Sequence, residues 1–141
     1  QRELESGVRS LLVDKLFKKF VTSNENSFAS ELYASIDQLI IMSQNGMIIG
    51  GHGYSHDWMD ALSKTQQKQE ISLTLNFLTQ INGHVNNWVF CYPHGGYNKS
   101  VIGILQERKC RMAFTIDPGI ASITKDMTYS LPRIDTIEFI K

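Results

Sequence analysis

Two histidines four residues apart, His52 and His56, have the clearest potential for chemistry in this sequence. They lie in the segment GGHGYSHDW, directly after the apolar run 47–51. Imidazole nitrogens at positions i and i+4 can reach one metal ion, and zinc binds histidine nitrogen at about 2.0–2.1 Å. The glycines of this segment let the backbone bend close to a ligand. The spacing therefore predicts part of a zinc site, with a pair of metal-free surface histidines as the open alternative.

A catalytic zinc usually has three protein ligands and one water, so a carboxylate from elsewhere in the chain is needed to complete such a site. Asp57, Asp117 and Asp135 are the nearest candidates along the sequence, although aspartates in these positions are typical of turns and caps. A second glycine loop, YPHGGYN at 92–98, follows another apolar run. Such a loop can direct a backbone N–H at a developing oxyanion, or it can be a simple turn.

The segments between these loops alternate between strand-like and helix-like patterns. Strands of about five residues that alternate with helices of ten or more are typical of a parallel α/β fold. Ligand sites in such folds gather where loops leave the carboxyl ends of the strands, which is where both loops lie. We predict four helices: at 8–20, from 27 or 35 to 43, within 62–84 and at 99–109, with Gly46 ending the second. We predict strands at 47–51, 87–93 and 110–116, and a short strand or extended segment at 131–140.

Composition limits the class of protein. The 141 residues fit a single domain, 1–141, and the 14 basic and 14 acidic residues cancel, which makes nucleic acid a poor candidate partner. No apolar run approaches the roughly 18 residues that span a bilayer, so we expect a soluble protein, with a weak preference for the cytoplasm. Cys91 and Cys110 lie in apolar contexts and are expected to be reduced and buried. His84 is expected to cap a helix or face solvent.

Three segments resemble, in order, the motifs of NodB-type polysaccharide deacetylases, carbohydrate esterase family 4. They are IDQLIIMSQNGMIIGGHGYSHDWMDALS, NNWVFCYPHGGYN and LPRIDT, and the similarity spans roughly residues 31–138. The resemblance implies an α/β fold that is part of a NodB-like distorted (β/α) barrel with parallel strands. The family's H-[S/T]-x-x-H element implies that His52 and His56 bind a divalent metal, with zinc as the expected ion. Gly53 takes the place of the usual Ser or Thr.

The same resemblance implies roles for the second and third segments. Tyr92, Pro93, Gly95 and Tyr97 would line a sugar groove, where flat rings such as Tyr54 and Trp58 can also stack, although core packing explains Trp58 equally well. Tyr97 is expected to be exposed. The backbone N–H of His94 would stabilise the oxyanion, and Cys91 stands where many members have Arg. Arg133 resembles the arginine that orients the catalytic carboxylate in relatives.

The family's first motif, T-F-D-D-G, supplies the general base and the third metal ligand, and these 141 residues do not contain it. The sequence is therefore expected to be the C-terminal part of a longer deacetylase or a degenerate form, and Gln1 at its start favours the first. The implied function is metal-dependent removal of N-acetyl groups from a polysaccharide or glycan precursor, with little activity in this chain alone. A non-catalytic carbohydrate-binding module and an α/β domain with structural histidines are the alternatives. An unpaired edge of an incomplete barrel would also favour a homodimer.

Overall fold

The computed structural model describes residues 4, 6–83, 85–122 and 128–139. The chain divides into two compact units, residues 1–39 and 40–141, which are described separately below. A single domain over 1–141 stays a prediction. The expectation for His84 falls outside the described residues.

The first unit contains two helices, α1 (Ser6–Phe20) and α2 (Glu25–Leu32). α1 confirms the helix predicted at 8–20. The Phe17 and Phe28 rings meet edge to face with their centroids 5.3 Å apart, and the Asn24 side chain accepts from the Ser27 N–H to cap α2. The other large apolar side chains of α1 stay exposed. The helical pattern of α1 is therefore present without a buried apolar face.

The helix predicted to begin at Ser27 or Ser35 is two helices, because Tyr33 adopts an extended backbone and ends α2. The second is α3 (Ile36–Gln44). Its start follows a capping box, in which the Gln38 N–H donates to Ser35 Oγ and the Ser35 N–H donates to Gln38 Oε1. The later of the two predicted starts is therefore correct. Gly46 ends the segment at φ 88°, as predicted.

The second unit is built around α4 (Lys64–Asn82), the longest helix among the described residues. Ser63 and Gln66 form a capping box at its start, and Gly83 adopts the left-handed conformation at its end. Its buried face carries Ile71, Leu78 and Ile81, with Leu75 partly buried beside them, which confirms the predicted apolar face.

Four chain segments run parallel at the centre of this unit, in the order of the sequence. β1 (Val89–Cys91) pairs with β2 (Met112–Phe114), Gly51 bridges to Phe90, and Phe114 bridges to Leu131. The parallel strands predicted near 87–93 and 110–116 are therefore confirmed, although each is only three residues long.

The outer two predicted strands are wrong in extent. Residues 47–50 form no strand, and Met47 and Ile48 are exposed, so only Gly51 joins the sheet. At the other edge, Leu131 makes a single bridge, and the chain then enters a 3₁₀ turn, Thr136–Phe139. An apolar run of strand length forms a strand only where a neighbouring strand pairs with its backbone N–H and C=O groups.

The core lies between the sheet and the helices. Trp88, Phe90 and Tyr92 alternate along β1 and pack against α4 and α5 (Lys99–Glu107), which confirms the helix predicted at 99–109. The opposite face of β1 carries Val89 and Cys91, which line a cavity beside the first glycine loop. Period-two alternation thus separates the core face from the face that borders the candidate site.

Both cysteines are free thiols, as predicted, with Cys110 buried and Cys91 partly buried. Burial is the main cause that raises the pKa of Cys110 to about 12. Among the described helices, none has the length and apolar character needed to cross a membrane.

Candidate active site

The histidine loop leaves the sheet at Gly51, whose N–H donates to the Val89 carbonyl and whose carbonyl accepts from the Cys91 N–H. The next residue, His52, places Nδ1 2.9 Å from the Cys91 carbonyl oxygen. A carbonyl can only accept, so Nδ1 carries the proton and Nε2 keeps its lone pair. Such a hydrogen bond orients an imidazole for metal binding through the other nitrogen. The sheet therefore fixes both the position and the tautomer of His52.

His56 brings its Nε2 to within 3.1 Å of His52 Nε2, and both side chains are exposed. Its backbone lies in the left-handed region, at φ 58°, which turns the chain back toward His52. Two nitrogens bound tetrahedrally at 2.0–2.1 Å from one zinc would be about 3.3 Å apart. The pair therefore fits two neighbouring ligand positions. Within the described residues, no group of three histidine, cysteine or acidic side chains is placed to hold a metal.

The surroundings of His56 favour its neutral form, because they lower the pKa of its ring. Desolvation is the largest cause that lowers the pKa of His56, the charges of His52 and His94 lower it further, and Asp57 opposes them. A histidine must be neutral to bind a metal, so the lowered pKa favours the form of His56 that is able to do so.

The second loop places His94 against the first. His94 has φ 53° within a 3₁₀ turn, Pro93–Gly95, and its ring stacks on Trp58 with centroids 3.7 Å apart. The same ring meets His56 edge to face at 4.5 Å. The two loops predicted from sequence are therefore brought together, and Trp58 packs within the site.

The backbone of the 3₁₀ turn Pro93–Gly95 leaves one N–H available. The Gly95 N–H donates to the Tyr92 carbonyl and the Gly96 N–H donates to the Pro93 carbonyl. Over the described ranges, the backbone N–H of His94 has no hydrogen-bond acceptor. A free N–H on a turn held by its neighbours is suited to bind an oxyanion.

Most of the residues predicted to line a sugar groove instead stabilise the conformation of the second loop. The Tyr92 ring is fully buried and its hydroxyl donates to the Tyr129 carbonyl, so a groove would be lined by its backbone. Pro93 is also buried. Tyr97 is only partly exposed, because its ring stacks on Tyr92 with centroids 4.7 Å apart, which corrects the expectation that it is exposed. Gly95 has φ 72°, a conformation that glycine adopts without strain.

Arg133 borders the same cavity as His52. It is exposed and lines a cavity of about 350 Å³ together with His52 and Cys91. Burial raises the pKa of the Cys91 thiol, and the Arg133 guanidinium opposes this shift. The Asp117 carbonyl accepts from the Arg133 N–H, and the Asp135 carboxylate accepts from the Ile137 N–H, as expected for turn residues.

One residue that contacts the histidine loop was not predicted from sequence. Glu70, on the buried face of α4, accepts hydrogen bonds from the N–H groups of Tyr54 and Ser55 and from the Ser55 hydroxyl. The available signal was an acidic residue directly before Ile71, at the edge of the predicted apolar face of α4, where burial requires a carboxylate to have partners.

Comparison with known proteins places these features in one family. The profile described as "Polysaccharide deacetylase" matches residues 19–113. The YxkH protein of Bacillus subtilis (strain 168), whose name assigns it to the polysaccharide deacetylases, is 28% identical over 98 residues. This match covers 70% of the present chain and 34% of YxkH.

Solved structures show the same fold. The deacetylase PplD of Streptococcus pyogenes, solved with acetate, superposes with a TM-score of 0.67 at 24% identity, covering 85% of this chain and 55% of PplD. IcaB of Ammonifex degensii gives 0.62 at 19% identity, covering 74% of this chain and 49% of IcaB. A family 4 pseudoenzyme of Bacillus anthracis gives 0.50 at 19%, covering 55% and 27%. The present chain thus spans about a third of its curated relative and about half of PplD and IcaB.

Proposed function

Because the chain belongs to the polysaccharide deacetylases of carbohydrate esterase family 4, with part of the NodB-type (β/α) barrel, we propose that it contributes to metal-dependent removal of N-acetyl groups from a polysaccharide or glycan precursor. The observation that carries the proposal is the distance of 3.1 Å between His52 Nε2 and His56 Nε2 at the end of a parallel sheet. Two oriented, exposed imidazoles are a suitable half of a divalent metal site, with zinc as the proposed ion.

The residues have distinct proposed roles. His52 and His56 would hold the metal, which when bound supplies a Lewis acid that polarises the amide carbonyl and acidifies water. The free backbone N–H of His94 would donate to the oxyanion of the tetrahedral intermediate. Arg133, which lines one cavity with His52, would orient an acidic group that activates water.

The sugar would contact the surface around these loops. We propose that the backbone of Tyr92 and Pro93, with Gly95 and the partly exposed edge of Tyr97, forms one wall of a groove. The side chains of Tyr92 and Pro93 support that wall from the core.

The chain by itself should be a poor catalyst. No third ligand is within reach of the histidine pair in the described residues, and the chain spans only part of its relatives. We therefore expect the 141 residues to bind metal weakly and to release almost no acetate. Rapid deacetylation of N-acetylglucosamine oligomers by this chain alone would contradict that expectation.

Metal binding tests the proposal most directly. We expect the purified chain to bind one Zn²⁺ or Co²⁺, and the His52→Ala/His56→Ala double variant to lose this binding, because both ligand nitrogens are gone. Competition with a chelating dye measures the affinity, and circular dichroism confirms that each variant is folded. Glu107→Gln, an exposed substitution on α5, serves as the control and should bind as the unmodified chain does. Absence of metal binding in the unmodified chain would refute the proposed metal site.

A non-catalytic carbohydrate-binding module is the second candidate. It is favoured by the structural likeness to a family 4 pseudoenzyme and by the incomplete ligand set. This candidate predicts that N-acetylglucosamine oligomers bind equally well with and without zinc. The deacetylase proposal predicts that zinc strengthens binding, since the amide carbonyl would lie at the histidine pair.

A further inference from the structure

We propose that Glu70 is a positioning residue, which holds the loop between His52 and His56 in the conformation that brings the two ligand nitrogens together. This inference deepens the proposed function and depends on it where metal binding is the readout. Glu70 lies 14 residues after His56 in the sequence and on a different element, α4.

The contacts of Glu70 converge on the middle of the histidine loop. Its Oε2 accepts from the N–H groups of Tyr54 and Ser55, both at 2.8 Å, and its Oε1 accepts from the Ser55 hydroxyl at 2.8 Å. These donors lie between the two histidines, so their positions determine the path of the backbone between His52 and His56. Hydrogen bonds to a carboxylate are shorter and stronger than those between neutral groups.

Glu70 itself is held rigidly. Its side chain is only 8% exposed, and it lies in the first half of α4, whose start is fixed by the capping box at Ser63. The neighbouring Gln67 donates to the carbonyls of Met59 and Leu62, which ties the same helix face to the segment that follows the loop. A buried carboxylate must have partners, and the loop supplies them.

The loop depends on this anchor because its backbone is turned sharply. Gly53 and His56 both have positive φ, 74° and 58°. A non-glycine residue such as His56 holds this conformation only when its surroundings enforce it. With Glu70 fixing the two residues before it, His56 is directed back toward His52. A helix residue thus sets the geometry of a site to which it contributes no ligand.

Metal affinity separates a positioning role from a merely structural one. We expect Glu70→Met to weaken Zn²⁺ binding by about 10- to 100-fold, the range seen when partners behind metal ligands are replaced. Met is close to Glu in length, but it carries no oxygen and its thioether is only a weak acceptor for the loop N–H groups. Ser55→Ala removes only the hydroxyl contact and should give a smaller loss in the same direction.

The matched control is Thr74→Val. Thr74 lies on the same buried face of α4, and its hydroxyl donates to the Glu70 carbonyl, so the substitution removes a buried hydrogen bond but leaves the loop contacts intact. We expect it to lower stability to urea without changing zinc affinity. Equal zinc affinity in Glu70→Met and the unmodified chain, or equal losses in Glu70→Met and Thr74→Val, would overturn the inference.

Amide hydrogen exchange tests the inference without metal. In Glu70→Met we expect the N–H groups of Tyr54 and Ser55 to exchange about tenfold faster or more, because their acceptor is lost, while core amides such as Phe90 are unaffected. If the unmodified chain binds no metal, the proposed function fails, and the exchange result alone decides the role of Glu70. Unchanged exchange at both residues would refute the anchor.

Discussion

Gly53 offers the sharpest test of how the two loops fit together. It lies between the histidines at φ 74°, and a Cβ added there would be 2.9 Å from Pro93 Cγ in the second loop. Real Cβ atoms essentially never come this close to another heavy atom. Because Pro93 is buried and its ring is rigid, the loops must move apart to accept any side chain at this position.

The expected cost of Gly53→Ala follows from three contributions. The left-handed backbone costs a non-glycine residue about 1–2 kcal/mol, and forced overpacking adds about 1–3 kcal/mol. Alanine also lowers the conformational entropy of the unfolded chain, which offsets the loss of stability by about 0.4–1 kcal/mol. We therefore expect the free energy of unfolding to fall by about 1–5 kcal/mol. Zinc affinity should fall with it, since the histidine loop is displaced.

The control is the same substitution in a different setting. Gly103 lies within α5 with no atom within 4 Å of its added Cβ, so Gly103→Ala should stabilise the chain by about 0.5–1 kcal/mol. Urea unfolding followed by circular dichroism measures both variants against the unmodified chain. If Gly53→Ala proved as stable as the unmodified chain, the close approach of the two loops would be refuted.

Two further predictions concern the core beside the site. Burial raises the pKa of Cys110 from 9.0 to about 12, so the native thiol stays protonated while the unfolded thiol ionises above pH 9, and stability is lost as the pH rises from about 9 to 12. The slope is half of about 1.4 kcal/mol per pH unit at pH 9 and approaches that value as the unfolded thiol ionises. The stability difference between the unmodified chain and Cys110→Ala should therefore narrow by about 1.6 kcal/mol from pH 9 to 10.5. A constant difference in urea unfolding would contradict this. Tyr92→Phe leaves the Tyr129 carbonyl without its donor and should lower the free energy of unfolding by about 1–2 kcal/mol in the same assay. The control Tyr54→Phe, at an exposed position, should change it by no more than about 0.5 kcal/mol. Equal effects of the two substitutions would argue against the buried hydrogen bond.

Local sequence patterns predicted the framework of the site. Apolar runs and helical periodicity located the parallel β1 and β2, the helices α4 and α5, and the two glycine loops at the carboxyl ends of strands. These features depend on residues a few positions apart, where backbone preference and side-chain period act directly. The same patterns overestimated the outer strands, because Ile48 and its neighbours lack a partner strand in the described structure.

The sequence by itself made a metal site the leading hypothesis, through the types and spacing of His52 and His56, the glycines around them and the resemblance to the deacetylase motifs. Only the tertiary structure decided that their Nε2 atoms lie 3.1 Å apart, that Tyr97 is stacked on Tyr92, and that Glu70 holds the loop. These contacts join residues from different elements. They depend on how α4 and the second loop pack against the sheet, and no local preference encodes that packing. The residue types therefore predicted a candidate metal site, whereas the packing of the core determined the geometry of that site.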